Sequence, residues 1–143
     1  MARRVAPASA SIKPKASLLR DSWSYTRMAQ AMIVLAREIP LRTSLRQVLA
    51  FVLIAEKNSL GHEVIVADLA GLAGDDANGQ PIFGQSINRS YQALLAPTDK
   101  EPDGLDWIVQ EPHPSDARRK VLRLTQKGEA VARKLAAALN EKE

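Results

Sequence analysis

Two clusters of side chains in this sequence have the chemistry to read a polyanion. Gln85, Ser86, Asn88, Arg89 and Gln92 fall within one short stretch. Asn and Gln pair bidentately with adenine, Arg with guanine, and Ser with bases or phosphates. Arg118, Arg119 and Lys120 form a second stretch. Guanidinium groups there suit phosphates and a narrow minor groove. Each cluster also has a plainer reading. An amphipathic helix shows polar residues to solvent whatever its role, and a charge run on a turn is most often simply solvated.

Other chemistries find little support. Cysteine is absent, which excludes disulfides, thiolate zinc sites and thiol redox sensing. The two histidines, His62 and His113, lack ligand-like spacing. No Ser/His/Asp set, paired-carboxylate motif or phosphate-cradling glycine loop is visible, and the GLAG at 71–74 reads as the end of a short helix. The expectation is a protein that is not an enzyme and that needs no cofactor or metal.

The net charge of +4 is unevenly spread. Residues 1–21 hold Arg3, Arg4, Lys13, Lys15 and Arg20 against Asp21 alone, and the remaining chain is neutral overall. Within that remainder, His113–Lys134 sets seven bases against Asp116 and Glu129. Ala96–Glu111 sets five acids against Lys100. Concentrated positive charge of this kind fits a polyanion partner better than the overall balance does.

A chain of 143 residues suits one domain. Residues 1–21 read as a flexible basic arm, rich in Ala, Ser and Pro. Their composition is also that of a transit peptide, but Pro7 and Pro14 interrupt any amphipathic helix. The expected compartment is the cytoplasm, with no membrane partner. The longest apolar run, Val48–Ala55, is too short to span a bilayer.

The elements that must position the two clusters follow from periodicity. Ser22–Ile39 reads as a helix burying Tyr25, Met28, Ala29, Met32, Ala36 and Ile39, closed by Pro40. Thr43–Lys57 reads as a second helix, capped by Thr43 or Ser44 and apolar around most of its circumference. Val64–Val66 is a short strand, Ala67–Ala73 a short helix, and 74–81 a loop. A helix over 84–95 buries Ile87, Tyr91, Leu94 and Leu95, which turns the first cluster outward. After a second polar loop at 96–104, a β-hairpin is expected. In it Leu105, Trp107 and Val109 alternate, Pro112 and Pro114 end the ladder, and His113–Asp116 make the turn. The return strand Arg118–Leu124 leads to Thr125, the cap of a last helix reaching about Asn140. The expected fold is mainly α with a small β-hairpin. Residues 22–143 read as a single winged helix-turn-helix domain flanked by terminal helices.

At this point the residues carry a resemblance. Asp116-x-Arg118, followed by Leu124-Thr125-x-x-Gly128, resembles the wing and following helix start of MarR-type regulators. Ala67-Asp-Leu69-Ala70 is similar to that family's S-E-L-A, and Gln85-Ser86-Ile87-Asn88-Arg89 to its S-T-V-S-R. Trp107-Ile108 occupies the entry to the wing. The resemblance implies a homodimer on pseudo-palindromic duplex DNA, with Gln85–Gln92 in the major groove, Arg118 in the flanking minor groove, and terminal helices forming the dimer interface. It leaves room for a small-molecule effector. The chain departs from the pattern in a lengthened helix-turn-helix turn at 75–81, the acidic loop 96–104, and a single helix after the wing. The rival expectation is a winged-helix interaction module that docks a protein through its two acidic loops.

Overall fold

Hydroxyl caps set two of the helix starts. In the computed structural model, residues 13–40, 42–84 and 87–141 are described. Ser44 accepts the Gln47 backbone N–H at 3.2 Å, and the Gln47 side chain accepts the Ser44 N–H at 2.7 Å. This capping box opens α3, Leu45–Ser59. Thr125 accepts the Gly128 N–H at 3.0 Å and opens α6, Gln126–Leu139. The other helices are α1 (Ala16–Leu19), α2 (Ser22–Glu38), α4 (Val66–Ala73) and α5 (Ile87–Gln92). Helix α1 is a single turn within the stretch read as an arm, and residues 1–12 lie outside the described ones.

The result is a small α+β fold with one antiparallel sheet of three strands: β1 (Val64–Ile65), β2 (Ile108–His113) and β3 (Asp116–Leu124). The order is β1-β3-β2, so β3 is central. Val64 pairs with Leu122 on one side, and Gln110 with Leu122 on the other. The core lies between α3, α4, α5, α6 and this sheet, where Phe51, Ile54, Leu69, Leu94, Trp107, Ile108 and Leu122 are fully buried. The Phe51 and Trp107 rings meet at 4.7 Å with planes tilted by 53°. That is a favoured aromatic geometry, worth about 0.5–1.5 kcal/mol beyond the area buried.

Helix α2 lies antiparallel along α6. Lys134 Nζ reaches Glu38 Oε1 at 3.0 Å, and Arg27 Nη1 donates to the Leu139 carbonyl at 3.5 Å. The face that α2 buries is not the expected one. Ala31 and Leu35 are buried, whereas Tyr25, Met28 and Met32 are more than half exposed. The helix is apolar on two sides, and docking on α6 selects the stripe through Ala31 and Leu35.

The hairpin forms with three amendments. Strand β2 begins at Ile108, not Leu105, and it is Ile108 that is buried while Val109 is exposed. Leu105 and Trp107 are buried on either side of Asp106, which has a φ of 57°, and the alternation shifts by one residue after Trp107. Second, the ladder runs through Pro112, which pairs with Lys120, so the turn is only Pro114–Ser115. Strand β2 is an edge, and a missing backbone donor is tolerated there. Third, β3 starts at Asp116. Helix α5 is also shorter than the expected 84–95: after Gln92 the chain tightens into turns, with Leu94 N–H bonded to Tyr91 O and Leu95 N–H to Gln92 O.

Candidate nucleic-acid interface

The first cluster is set by what α5 buries. Tyr91, Ser90 and Leu94 face the core, and this leaves Asn88, Arg89 and Gln92 exposed on the other side. Gln85 and Ser86 lie outside the described residues.

Both acidic loops are tied back at the ends of α5. Before it, Asp76 closes its own loop: Oδ1 accepts the N–H groups of Asn78 and Gln80 at 2.8 and 3.0 Å. Ile82 N–H returns to Gly74 O at 2.9 Å. This is an Asx-type turn, which explains how a stretch so polar holds one shape. After α5, Leu105 N–H donates to Ala93 O and Asp106 N–H to Leu95 O, at 3.1 and 3.0 Å. Trp107 and Ile108 share the Leu94 carbonyl at 2.8 and 3.1 Å. Loop 96–104 is therefore an excursion pinched shut at its base, and Gly104 is needed there because a β-carbon would overlap the Leu95 carbonyl.

The second cluster sits on a break in register. Pro112 pairs with Lys120, but the next pair is His113 with Asp116. Ala117, Arg118 and Arg119 are left over and bulge from the ladder. Asp116 Oδ1 accepts both the Arg118 backbone N–H at 3.1 Å and the Arg118 Nε at 3.3 Å. One carboxylate thus shapes the bulge and aims its arginine, whose side chain remains 93% exposed. Lys120 Nζ bends back to Ala117 O at 3.3 Å. His113 supports the turn from the other strand, its Nδ1 accepting the Ser115 N–H at 3.0 Å.

A charged network stands on one face of the hairpin. Glu63 contacts His113 Nε2 at 3.7 Å and Arg123 Nη2 at 3.4 Å, and Arg123 Nε reaches Glu111 at 3.4 Å. Val121 shares that face by strand alternation and is buried. Arg123 is therefore committed to carboxylates, whereas Arg119 and Arg89 are in no ion pair among the described residues.

The structure groups Asn88, Arg89 and Gln92 on α5, and Arg118, Arg119 and Lys120 on the β2–β3 hairpin. No hydrogen bond or ion pair links the two groups among the described residues. Asn58 and Glu63 carry no local sequence signal for their roles. Asn58 Oδ1 accepts the Leu124 N–H at 3.0 Å, a bond spanning 66 residues. The only hint was a polar residue placed where a helix stops.

The Thr125-x-x-Gly128 half of the wing motif has a structural reason. Thr125 Oγ1 donates to Asp106 O at 2.6 Å while capping α6. A β-carbon on Gly128 would overlap the Trp107 carbonyl. In the Asp116-x-Arg118 half, the Arg118 side chain stays exposed. Among the described residues no group of acids and histidines is placed to hold a metal, and no helix is long and apolar enough to cross a membrane. Comparison with protein families, with curated proteins and with solved structures yields no match for the chain.

Proposed function

We propose that the protein is a sequence-specific regulator that binds double-stranded DNA through a winged helix-turn-helix. Helices α4 and α5 are its helix pair, and the β2–β3 hairpin is its wing. The observation that carries this reading is the state of α5. Asn88, Arg89 and Gln92 stand exposed, while both acidic loops are hydrogen-bonded back at the ends of the helix rather than across it. An interaction module working through those loops has no need of an uncovered α5. The resemblance of the wing to MarR-type regulators points the same way, and the Asp116–Arg118 contact supplies the aimed guanidinium that a minor groove favours.

In this reading Asn88 and Gln92 read base edges, and Arg118, Arg119 and Lys120 hold the flanking backbone and minor groove. The active form is a homodimer. Its interface is the apolar stripe of Leu18, Leu19, Tyr25, Met28, Met32 and Ile33, each 43–59% exposed in the single chain. Six large apolar side chains along one helical stretch exceed what an isolated surface usually leaves to water.

A fluorescence-anisotropy titration with duplexes selected from a random library tests the function. Affinity is expected to fall steeply as salt rises. Binding that is flat with salt, or absent, would sink the proposal.

A further inference from the structure

Arg46 belongs to neither cluster. It stands in the first turn of α3, and its Nε donates to the Ile82 carbonyl at 2.6 Å. That bond holds the guanidinium beside the segment leading into α5. An open cleft of about 470 Å³ lies there. Arg46, Ser44 and Gln47 line it from α3, Arg89 lines it from α5, and Ile82 with buried Phe83 also contribute to its walls.

The charges in this cleft are unbalanced. No carboxylate lines it, and neither arginine is in an ion pair, among the described residues. Ser44 and Gln47 spend only their side-chain oxygens, as acceptors, in the capping box, so the two guanidinium groups are the charged donors among the polar ones that line the cleft. With Nε spent on a carbonyl, Arg46 retains both terminal nitrogens, and an arginine fork of this kind matches a tetrahedral oxyanion. The cleft is open rather than enclosing. It fits a phosphate that belongs to a larger body better than a small molecule engulfed whole.

We propose that this cleft seats a backbone phosphate of duplex DNA, clamped between Arg46 and Arg89. The inference rests on the DNA-binding reading above. It adds Arg46 to the interface and assigns Arg89 to the backbone rather than to a base edge. A phosphate fixed at this point would set the depth and angle at which α5 enters a groove, because Arg46 is tied to the loop from which the helix departs.

The test compares wild type with Arg46→Gln, Arg46→Lys and Arg118→Ala in anisotropy titrations over a range of salt. Glutamine keeps an amide donor for Ile82 and removes the charge. Arg46→Gln should weaken binding about tenfold on every duplex alike and lower the salt slope by about one. Arg46→Lys should preserve the slope. If Arg118→Ala weakens binding while Arg46→Gln matches wild type in affinity and slope, the clamp is overturned and the DNA reading stands. If wild type shows no salt-sensitive duplex binding, the DNA reading falls and takes the clamp with it. A second readout guards against a folding defect: the Arg46 Nε resonance of the full chain. It should move on adding duplex and stay put in millimolar inorganic phosphate. An equal response to inorganic phosphate alone would overturn the backbone assignment in favour of a free-anion site.

Discussion

A β-carbon at position 128 would overlap the carbonyl oxygen of Trp107, and that oxygen already accepts the Thr125 N–H at 3.0 Å. The first turn of α6 therefore lies directly on the chain entering β2, and neither side can yield alone. Gly128→Ala is expected to destabilise the protein by about 1–3 kcal/mol or more, as overpacking against backbone does. Urea denaturation reads this as a lower midpoint. Thr125→Ala should cost about 1 kcal/mol through the lost cap, and Thr125→Ser should recover most of it. His113 offers a finer contrast. Its Nδ1 accepts a backbone N–H, so the neutral ring carries its proton on Nε2, toward Glu63. His113→Leu removes the acceptor, and the Ser115 amide should then exchange with solvent several-fold faster, in line with a hydrogen bond of about 1 kcal/mol. Asparagine at 113 supplies an acceptor at nearly the same place and should hold the exchange rate near that of wild type. Two of these positions, Thr125 and Gly128, were legible as a motif in the sequence. Their reason was not, because Trp107 and Asp106 come from a segment about twenty residues away.

At the scale of elements, the sequence marks ends better than faces. Of the two caps expected for α3, Thr43 and Ser44, it is Ser44 that serves, Thr125 caps α6 as expected, and α2 stops at Glu38, just before Pro40. The inward face of α2 was misjudged because it has two apolar stripes, and only the docking of α6 chooses between them. Periodicity places Leu105, Trp107 and Val109 on one face, but the register shifts after Trp107, so Ile108 is buried in place of Val109. The stripe left outside is what a second copy would cover. Met32→Glu should convert a dimer into monomers, and sedimentation velocity would show it as a smaller species. A monomeric wild type would remove that interface from consideration. Asn58 ties the end of α3 to β3, and Asn58→Ala strands the Leu124 N–H in a part-buried position. The expected loss is about 1–3 kcal/mol of stability, with little effect on helix content.

Over the whole molecule, charge and shape divide the work. The acids of 75–81 and 96–104 sit on loops closed at their own bases, and Arg118 at the hairpin bulge is held by a single aspartate. The exposed set on α5 was legible from helical spacing, at least for Asn88, Arg89 and Gln92. Arg46 was not, since its link to Ile82 joins residues 36 apart and leaves no local pattern. The packing of Trp107 has a consequence of a different kind. Its indole is almost completely buried against Phe51, and its Nε1 has no hydrogen-bond partner among the described residues. Trp23, the other tryptophan, is only partly buried at the start of α2. The chain thus carries two light-emitting groups in unlike surroundings. Trp107 should emit at short wavelength and resist an aqueous quencher until the core opens, while Trp23 emits further to the red and is quenched more readily. With Trp23→Phe, the remaining emission becomes a direct optical gauge of whether α3 and the chain entering β2 are still joined.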